Sequence, residues 1–578
     1  MKTRRMTVAL IVGLGLTMGL LLVLNSTAVL LVHAAPPPTY RYVATTGNDS
    51  LNDCKTSTFP CRTVQHAVNV AGINNVILVA KGIYDDLHTH SVPDGYFAPP
   101  ASGVITQVLY IDKTVAIRGG YTTAFKEPPD PSSNSTSLQV PAGQLGRVVV
   151  IAGDIHPTLY GFRIVNGDAT GLGGGWGSRD AGGGVFIFTA TATLDTNTIT
   201  LNKAYDGAGL YLRNSDATLV DSLITENTAS NGSGGGLYLH ASDATLSENT
   251  IYANTAYLHG GAAYLNYSKA ELTDNTIFSN HATNGAGGAL HLVWYSEATI
   301  TGNTIESNTA GSQGGGMYLN YSNAVLDANT IRFNSADDEG GGLALENDCS
   351  ASLTANVIVS NDAGLHGGGV YIRYSDPDLD KNIVRLNSAR WGGGVYLENS
   401  EAVLTNTVIT ENQAPSNGGG SGLYIEGSSP RLLHTTIAHN SGGDGSGVYV
   451  TEATVPGYLS DVVLTNTILV NHGVGITVTA GNTATLDGVL WHSNTVDWGG
   501  GGAISGSHYT WGDPHFAVDG YHLSSDSAAL DVGLSSGVTA DVDGDTRPYC
   551  TAPDLGADEA VGDFACQIVY LPLELRNN

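Results

Sequence analysis

GGGLYLHASDATLSENTIYANTAYLH, residues 234–259, is one full unit of a repeat with a period of about 26 residues, running from roughly Gly182 to Val478. Three glycines open it. Leu237-Tyr238-Leu239-His240 then alternates apolar and amphipathic side chains, the pattern of a strand with one buried face. The leucines are expected to point inward and the tyrosine and its polar neighbour outward. A second apolar segment follows with Leu246 and Ile251, and Asn249 and Asn254 stand five residues apart at what read as corners.

The same unit recurs with GGGVFI at Gly182, GGAAYL at Gly260, GGALHL at Gly287, GGGMYL at Gly314, GGGLAL at Gly340, GGGVYI at Gly367 and GGGVYL at Gly392. Short strands separated by corners cannot pair as hairpins at this period. Successive turns must therefore stack in parallel, about 4.8 Å apart. The paired asparagines recur from Asn197 and Asn202 to Asn382 and Asn387. Amides stacked in this way can bond along the axis as a ladder. Catalytic asparagines would not recur in every coil, so these residues are assigned to structure. A leucine-rich solenoid would need a 3.6-residue period in each unit, and none is present. The one helical pattern is Thr63 to Ala71, with Val64, Ala67, Val68 and Ala71 on one face, placed to cap the first coil. The expected fold class is all-β, a right-handed parallel β-helix solenoid with a short N-terminal capping helix.

Composition narrows the partners. Twenty-four Lys and Arg face 53 Asp and Glu, a formal charge of -29, which repels nucleic acid and anionic lipid. An acidic polymer would need a basic cleft or bridging calcium, whereas neutral glycans meet no such field. Lys2, Arg4 and Arg5 precede an apolar run from Val8 to Val32 and then Ala34 and Ala35. This reads as an export signal over residues 1–35, with an uncleaved membrane anchor as the alternative. The protein is expected outside the cell, secreted or attached to its surface, and monomeric. Five cysteines in an exported chain suggest the disulfides Cys54 with Cys61 and Cys550 with Cys566, leaving Cys349 as a buried small residue. The expected layout is an N-terminal cap with the first coils over 36–165, regular repeats over 166–500, a C-terminal module over 501–562 and a tail over 563–578.

The segment YVATTGNDSLNDC…PCRTVQHAVNVAG…VILVAKGIY, from Tyr42 to Tyr84, resembles the opening of bacterial proteins in the pectin-lyase-like β-helix superfamily. The segment GDPHFAVDGYHLSSDSAALDVG…ADVDGDTRP…APDLGADE, from Gly512 to Asp558, is similar to the C-terminal choice-of-anchor Q module. The units also resemble polymorphic outer membrane protein repeats, but no alternating barrel segments follow them. The superfamily resemblance implies the fold. It leaves the chemistry open, because the superfamily contains lyases, hydrolases, epimerases, tailspikes and surface proteins without assigned activity. The ordered set of polygalacturonase motifs is absent. Asp337-Asp338 and Asp85-Asp86 are isolated pairs, and Asp513-Pro514-His515 lies within the C-terminal module rather than in an epimerase-like site.

Two readings of the outward strand face stand side by side. Tyr238, Tyr264, Tyr318, Tyr371, Tyr396 and Tyr424, with Trp391, form a column suited to stacking on sugar rings. The same column could instead stack on itself for stability. His366, Arg373 and Arg390 beside Trp391 are the candidates for a catalytic cluster, with Arg373 as base or uronate ligand if the chain is a lyase. Asp541, Asp543 and Asp545 are candidate calcium ligands, although an EF-hand spacing is not met and a plain turn is the alternative. The expected function is thus a carbohydrate-binding or adhesive scaffold, with a polysaccharide lyase or hydrolase as the alternative.

Overall fold

A computed structural model describes residues 38–455 and 457–562. The expected signal segment, the tail and Cys566 lie outside the described residues. From Tyr40 onward the chain winds into stacked coils, so regular stacking begins well before the first recognisable repeat. In the coil read first, the strands are Leu237–His240, Asp243–Ser247, Thr250–Tyr252 and the short Thr255–Ala256. Each pairs in parallel with its counterpart one coil later, Leu237 with Ala263, Leu246 with Leu272, Ile251 with Ile277 and Ala256 with Ala282. The glycine-led strands form one 16-stranded sheet from His88–Ser91 to Val496–Gly500, parallel throughout except at its first pair. Among the described residues, no helix is long and apolar enough to cross a membrane.

Alternation fills the interior as expected. Leu237, Leu239, Leu246 and Ile251, and their counterparts in every coil, join one continuous apolar core along the axis. The N-terminal end of that core is closed by the helix Val64–Val70, whose N-cap Thr63 accepts the His66 amide through Oγ1 at 3.1 Å. Val64, Ala67 and Val68 face the core beside the Cys54–Cys61 disulfide. Cys349 is buried where other coils carry serine. Its amide donates to Ser375 Oγ at 3.2 Å and its thiol to the Glu346 carbonyl at 3.1 Å.

The corners depart from the sequence reading in one respect. The left-handed turn residue is the one before each ladder asparagine, such as Glu248 at φ 58° and Ala253 at φ 52°. The asparagine itself is thereby freed to point inward. Its amide nitrogen donates to the next coil's amide oxygen, and ten asparagines from Asn202 to Asn440 form one unbroken ladder at 2.9–3.0 Å. The ladder ends on His472, whose Nε2 lies 3.3 Å from the Asn440 amide nitrogen. Because an amide N–H must donate, the imidazole accepts and has to be neutral.

Burial pushes the His472 imidazole down to about 4, with His439 adding to the fall and a bond to Asn494 opposing it. The folded chain therefore binds this proton more weakly than the unfolded chain, whose histidine titrates near pH ~6.5. Stability from this group is complete above pH ~6.5 and is lost as the pH falls toward 4, by roughly 3 kcal/mol in all. His472→Asn extends the ladder with an amide and should lose less stability on acidification. Guanidinium midpoints for both proteins at pH 7 and pH 4.5 check this, and identical acid losses would reject it.

Residues 512–562 carry almost no regular strand and pack against the outer wall of the last coils. Leu523, Leu530 and Leu555 cover Ala438, Ile468, Val470 and Leu490. The Asn466 side chain clamps Leu534 by both backbone groups, at 2.6 and 2.7 Å. The buried Arg547 guanidinium donates to the carbonyls of Gly556 and Ala557 at 2.9 and 3.0 Å and pairs with Glu559.

Candidate functional site

The tyrosine column lies on the outer face of the glycine-led sheet, as its alternation requires, but it is closed to solvent. Tyr238 is 3% exposed, and Tyr211, Tyr318, Tyr371 and Tyr396 are likewise buried. The rings stack along the axis, with Tyr211–Tyr238, Tyr396–Tyr424 and Tyr424–Tyr449 centroids 4.9–5.0 Å apart. Tyr264 and Tyr424 within the column, and Tyr449 at its end, are half-buried. Histidines from the preceding corners lie over the column, His259 against His291 at 4.6 Å and His366 against Tyr396 at 4.5 Å. Near the N-terminal end Trp176 lies 4.9 Å from His240, and Phe97 lies under the Arg213 guanidinium.

The phenol groups are also engaged. Tyr318 donates to Glu346 at 3.0 Å, Tyr371 to Glu398 at 2.8 Å, and Tyr396 to Glu426, each one coil later. This corrects the expectation of an open sugar-facing column. Self-stacking under the corner residues hides the ring faces that a sugar would need.

The candidate catalytic cluster packs over the same column and is itself half-buried. His366 stacks between Tyr371, Trp391 and Tyr396, with Nδ1 3.4 Å from Glu339. Arg373 lies 3.2 Å from Glu398. Burial opposes its charge, but Glu398 outweighs that effect and holds the guanidinium protonated. Arg390 lies over the Trp391 ring at 4.2 Å.

The expected three-aspartate calcium set does not assemble. Asp541 is buried and spends one oxygen on the amides of Asp543, Gly544 and Asp545, and the other on that of Glu559.

What the strand alternation did not single out is a second aromatic series, at the corner after each glycine-led strand. In NYS, VWYS, NYS and RYS the aromatic residues are Tyr267, Trp294 with Tyr295, Tyr321 and Tyr374. They are 53%, 44%, 74%, 39% and 48% exposed. All five are left-handed, with φ between 48° and 58°. At this corner other coils place Asn214, Asn399 or Gly427, residue types that tolerate it, and also the smaller Thr189 and Ala241. A bulky aromatic ring costs more there and covers nothing in the core. Exposed Leu201, Phe333 and Leu386 take the same conformation at the ladder corners, but at this corner the aromatic rings recur in four coils. Trp294 and Tyr321 stack with planes 3° apart at 5.5 Å, and Tyr267 and Tyr295 lie 6.4 Å apart.

Beside this ridge runs a trough of about 590 Å³ along the outward face of the second strands, from Thr191 to Ser352. It crosses six coil intervals, roughly 29 Å at the usual strand spacing. Glu297 and Asn323 line both the trough and a 230 Å³ hollow walled by Tyr295 and Tyr321, so ridge and trough are continuous. A further 390 Å³ hollow lies between Tyr374 and Tyr458. Asp216, Asp243, Glu271 and Glu297 face the trough with Lys269, which pairs with Glu297 at 2.8 Å. The surface is therefore net acidic, with hydroxyls and amides between the charges.

Two solved structures align at low similarity. A pectate lyase, Pel9A, shares 12% identity over 90% of this chain and 96% of its own, with a TM-score of 0.28. A rhamnogalacturonan lyase shares 14% over 74% of this chain and 87% of its own, with a TM-score of 0.18. No curated protein matches. The model of the right-handed β-helix region matches residues 176–305, 268–368, 296–441 and 365–496, which together span more than half of the sequence. With parallel coils stacked in register throughout that span, the chain belongs to the right-handed β-helix family.

Proposed function

We propose that this chain is an exported, monomeric glycan-binding scaffold that holds a neutral polysaccharide against the corner ridge and the adjoining trough. The observation that carries this reading is the set of solvent-exposed rings at left-handed corners, where no folding advantage accounts for them. Flat rings cover the apolar C–H faces of sugars, and the neighbouring Asn323, Thr299 and carboxylates reach hydroxyl groups. The acidic lining disfavours polyuronates, which would need a bridging cation to approach it. In this reading residues 1–35 direct export, and the segment from Gly512 to Asp558 acts as the surface-attachment module that it resembles.

A glycan array with and without calcium identifies the ligand, and calorimetry on that ligand tests the surface. Trp294→Ala and Tyr321→Ala are each expected to weaken binding about tenfold, a loss of about 1.4 kcal/mol. Tyr371→Ala in the closed column should destabilise the fold and leave affinity within about twofold, well short of the tenfold step. Binding that is lost in Tyr371→Ala and kept in the ridge variants would overturn the assignment. Incubation with pectate, alginate and xylan is expected to release neither unsaturated products nor reducing ends. Product from any of them would favour a lyase or hydrolase.

A further inference from the structure

The C-terminal segment brings together a group of side chains that neither the solenoid nor the ridge uses. His522 Nδ1 lies 2.6 Å from Asp519 Oδ2, and its Nε2 lies 2.5 Å from Asp543 Oδ2 and 4.0 Å from Asp558 Oδ1. One ligand atom from each of His522, Asp543 and Asp558 falls within 4.8 Å of the others. The carboxylate on Nδ1 fixes the ring and aims Nε2 at the other two acids, the arrangement by which proteins orient a metal-binding imidazole.

Asp558 supplies a second, independent observation. Its side chain is 8% exposed. One oxygen is held by the Leu523 amide at 2.7 Å, while the other is turned to His522 and accepts no hydrogen bond among the described residues. That oxygen is thus an unspent ligand atom facing the imidazole.

We infer that His522, Asp543 and Asp558 form a site for a divalent transition-metal ion, with Asp519 as the positioning residue behind the imidazole. Ligand atoms sharing one ion through bonds of about 2 Å at tetrahedral angles stand roughly 3 Å apart. The 2.5 and 4.0 Å separations bracket that value, so small side-chain shifts complete the set. The nitrogen donor selects the class of ion. Imidazole suits zinc and its neighbours, whereas calcium takes six to eight oxygens, and the nearby Asp541 oxygens are already spent on amides. The metal would tie the Asp519–His522 turn, the Asp541–Asp545 turn and Asp558 together on the outer wall of the last coils.

The test uses the full mature chain, stripped with chelator and titrated with zinc chloride in a calorimeter, with bound metal counted by mass spectrometry. One zinc per chain is expected, with a Kd of 10 μM or tighter and a rise in Tm of several degrees. Calcium in hundredfold excess should not compete. His522→Gln, which can still bond Asp519, and Asp543→Asn, at an exposed position, should each weaken zinc at least tenfold while keeping the circular dichroism of the folded chain. His515→Gln, at an exposed histidine outside the group, should bind as the parent does. A parent protein that takes up no zinc below 100 μM, or binding unchanged in the folded Asp543→Asn variant, would refute the site.

Discussion

Gly314→Ala is expected to cost about 4 kcal/mol, enough to consume a large share of the stability of an ordinary domain. Gly314 opens its coil at φ +64°, and a methyl there would lie 2.3 Å from the Met317 carbonyl oxygen and 2.8 Å from Tyr318 Cβ. Both penalties therefore act together. The left-handed backbone costs an alanine about 1–2 kcal/mol, and overlap with fixed backbone adds about 1–3. The chain contains its own control. The second glycine of the triplet is replaced by Ala208 and Ser421 in two coils and the third by Ala262 and Ala289, whereas the first is glycine in all ten, from Gly182 to Gly420. Gly315→Ala should thus be milder than Gly314→Ala, since its methyl meets the Gly341 carbonyl oxygen at 2.4 Å but its backbone is not left-handed. Denaturant midpoints for the pair decide the matter, and equal losses would refute the argument.

Asn334→Ala should cost about 3 kcal/mol. Its amide donates to the Ile305 carbonyl at 2.9 Å and to Asn361 Oδ1 at 3.0 Å, and its oxygen accepts the backbone and side-chain N–H groups of Asn308, both at 3.0 Å. Truncation strands several buried partners at once, each worth about 1–3 kcal/mol when left unmade, with partial relaxation. Asn329→Ser in the other ladder should be gentler, because Ser222 and Thr407 already stand in that column and bond the neighbouring coil or carbonyl through their hydroxyls. Since each coil contacts only its neighbours, the loss should be local. Native-state hydrogen exchange should show opening centred on the coils of Asn308, Asn334 and Asn361. Protection lost uniformly over the chain would contradict the ladder account.

The outward tyrosines show where reading by alternation stops. Alternation correctly put Tyr371 on the far side of the sheet from Ile372. It could not show that His366, from the corner leading into the same strand, and Trp391, one coil later, would close over that face. The corner ridge was obscured for the opposite reason. Tyr321 follows Asn320 directly and breaks the alternation, so it reads as punctuation after a strand. Only its left-handed φ of 49° and its exposure distinguish it from filler. A recurring Tyr-Ser after the strand, where other coils have Asn-Ser, Gly-Ser, Ala-Ser or Thr-Ala, was the available signal.

By itself the sequence determined the coil. Period, glycine corners, paired asparagines and the capping helix are local or strictly repeating properties, and in a stack each unit meets a copy of itself, so self-comparison amounts to contact prediction. Tertiary structure decided which surfaces remained open. Closure of the tyrosine column, continuity of ridge and trough, and the meeting of His522 with Asp543 and Asp558 all depend on side chains from different coils and turns. Their separation in space is set by how the turns fold over the solenoid, and no periodicity encodes that.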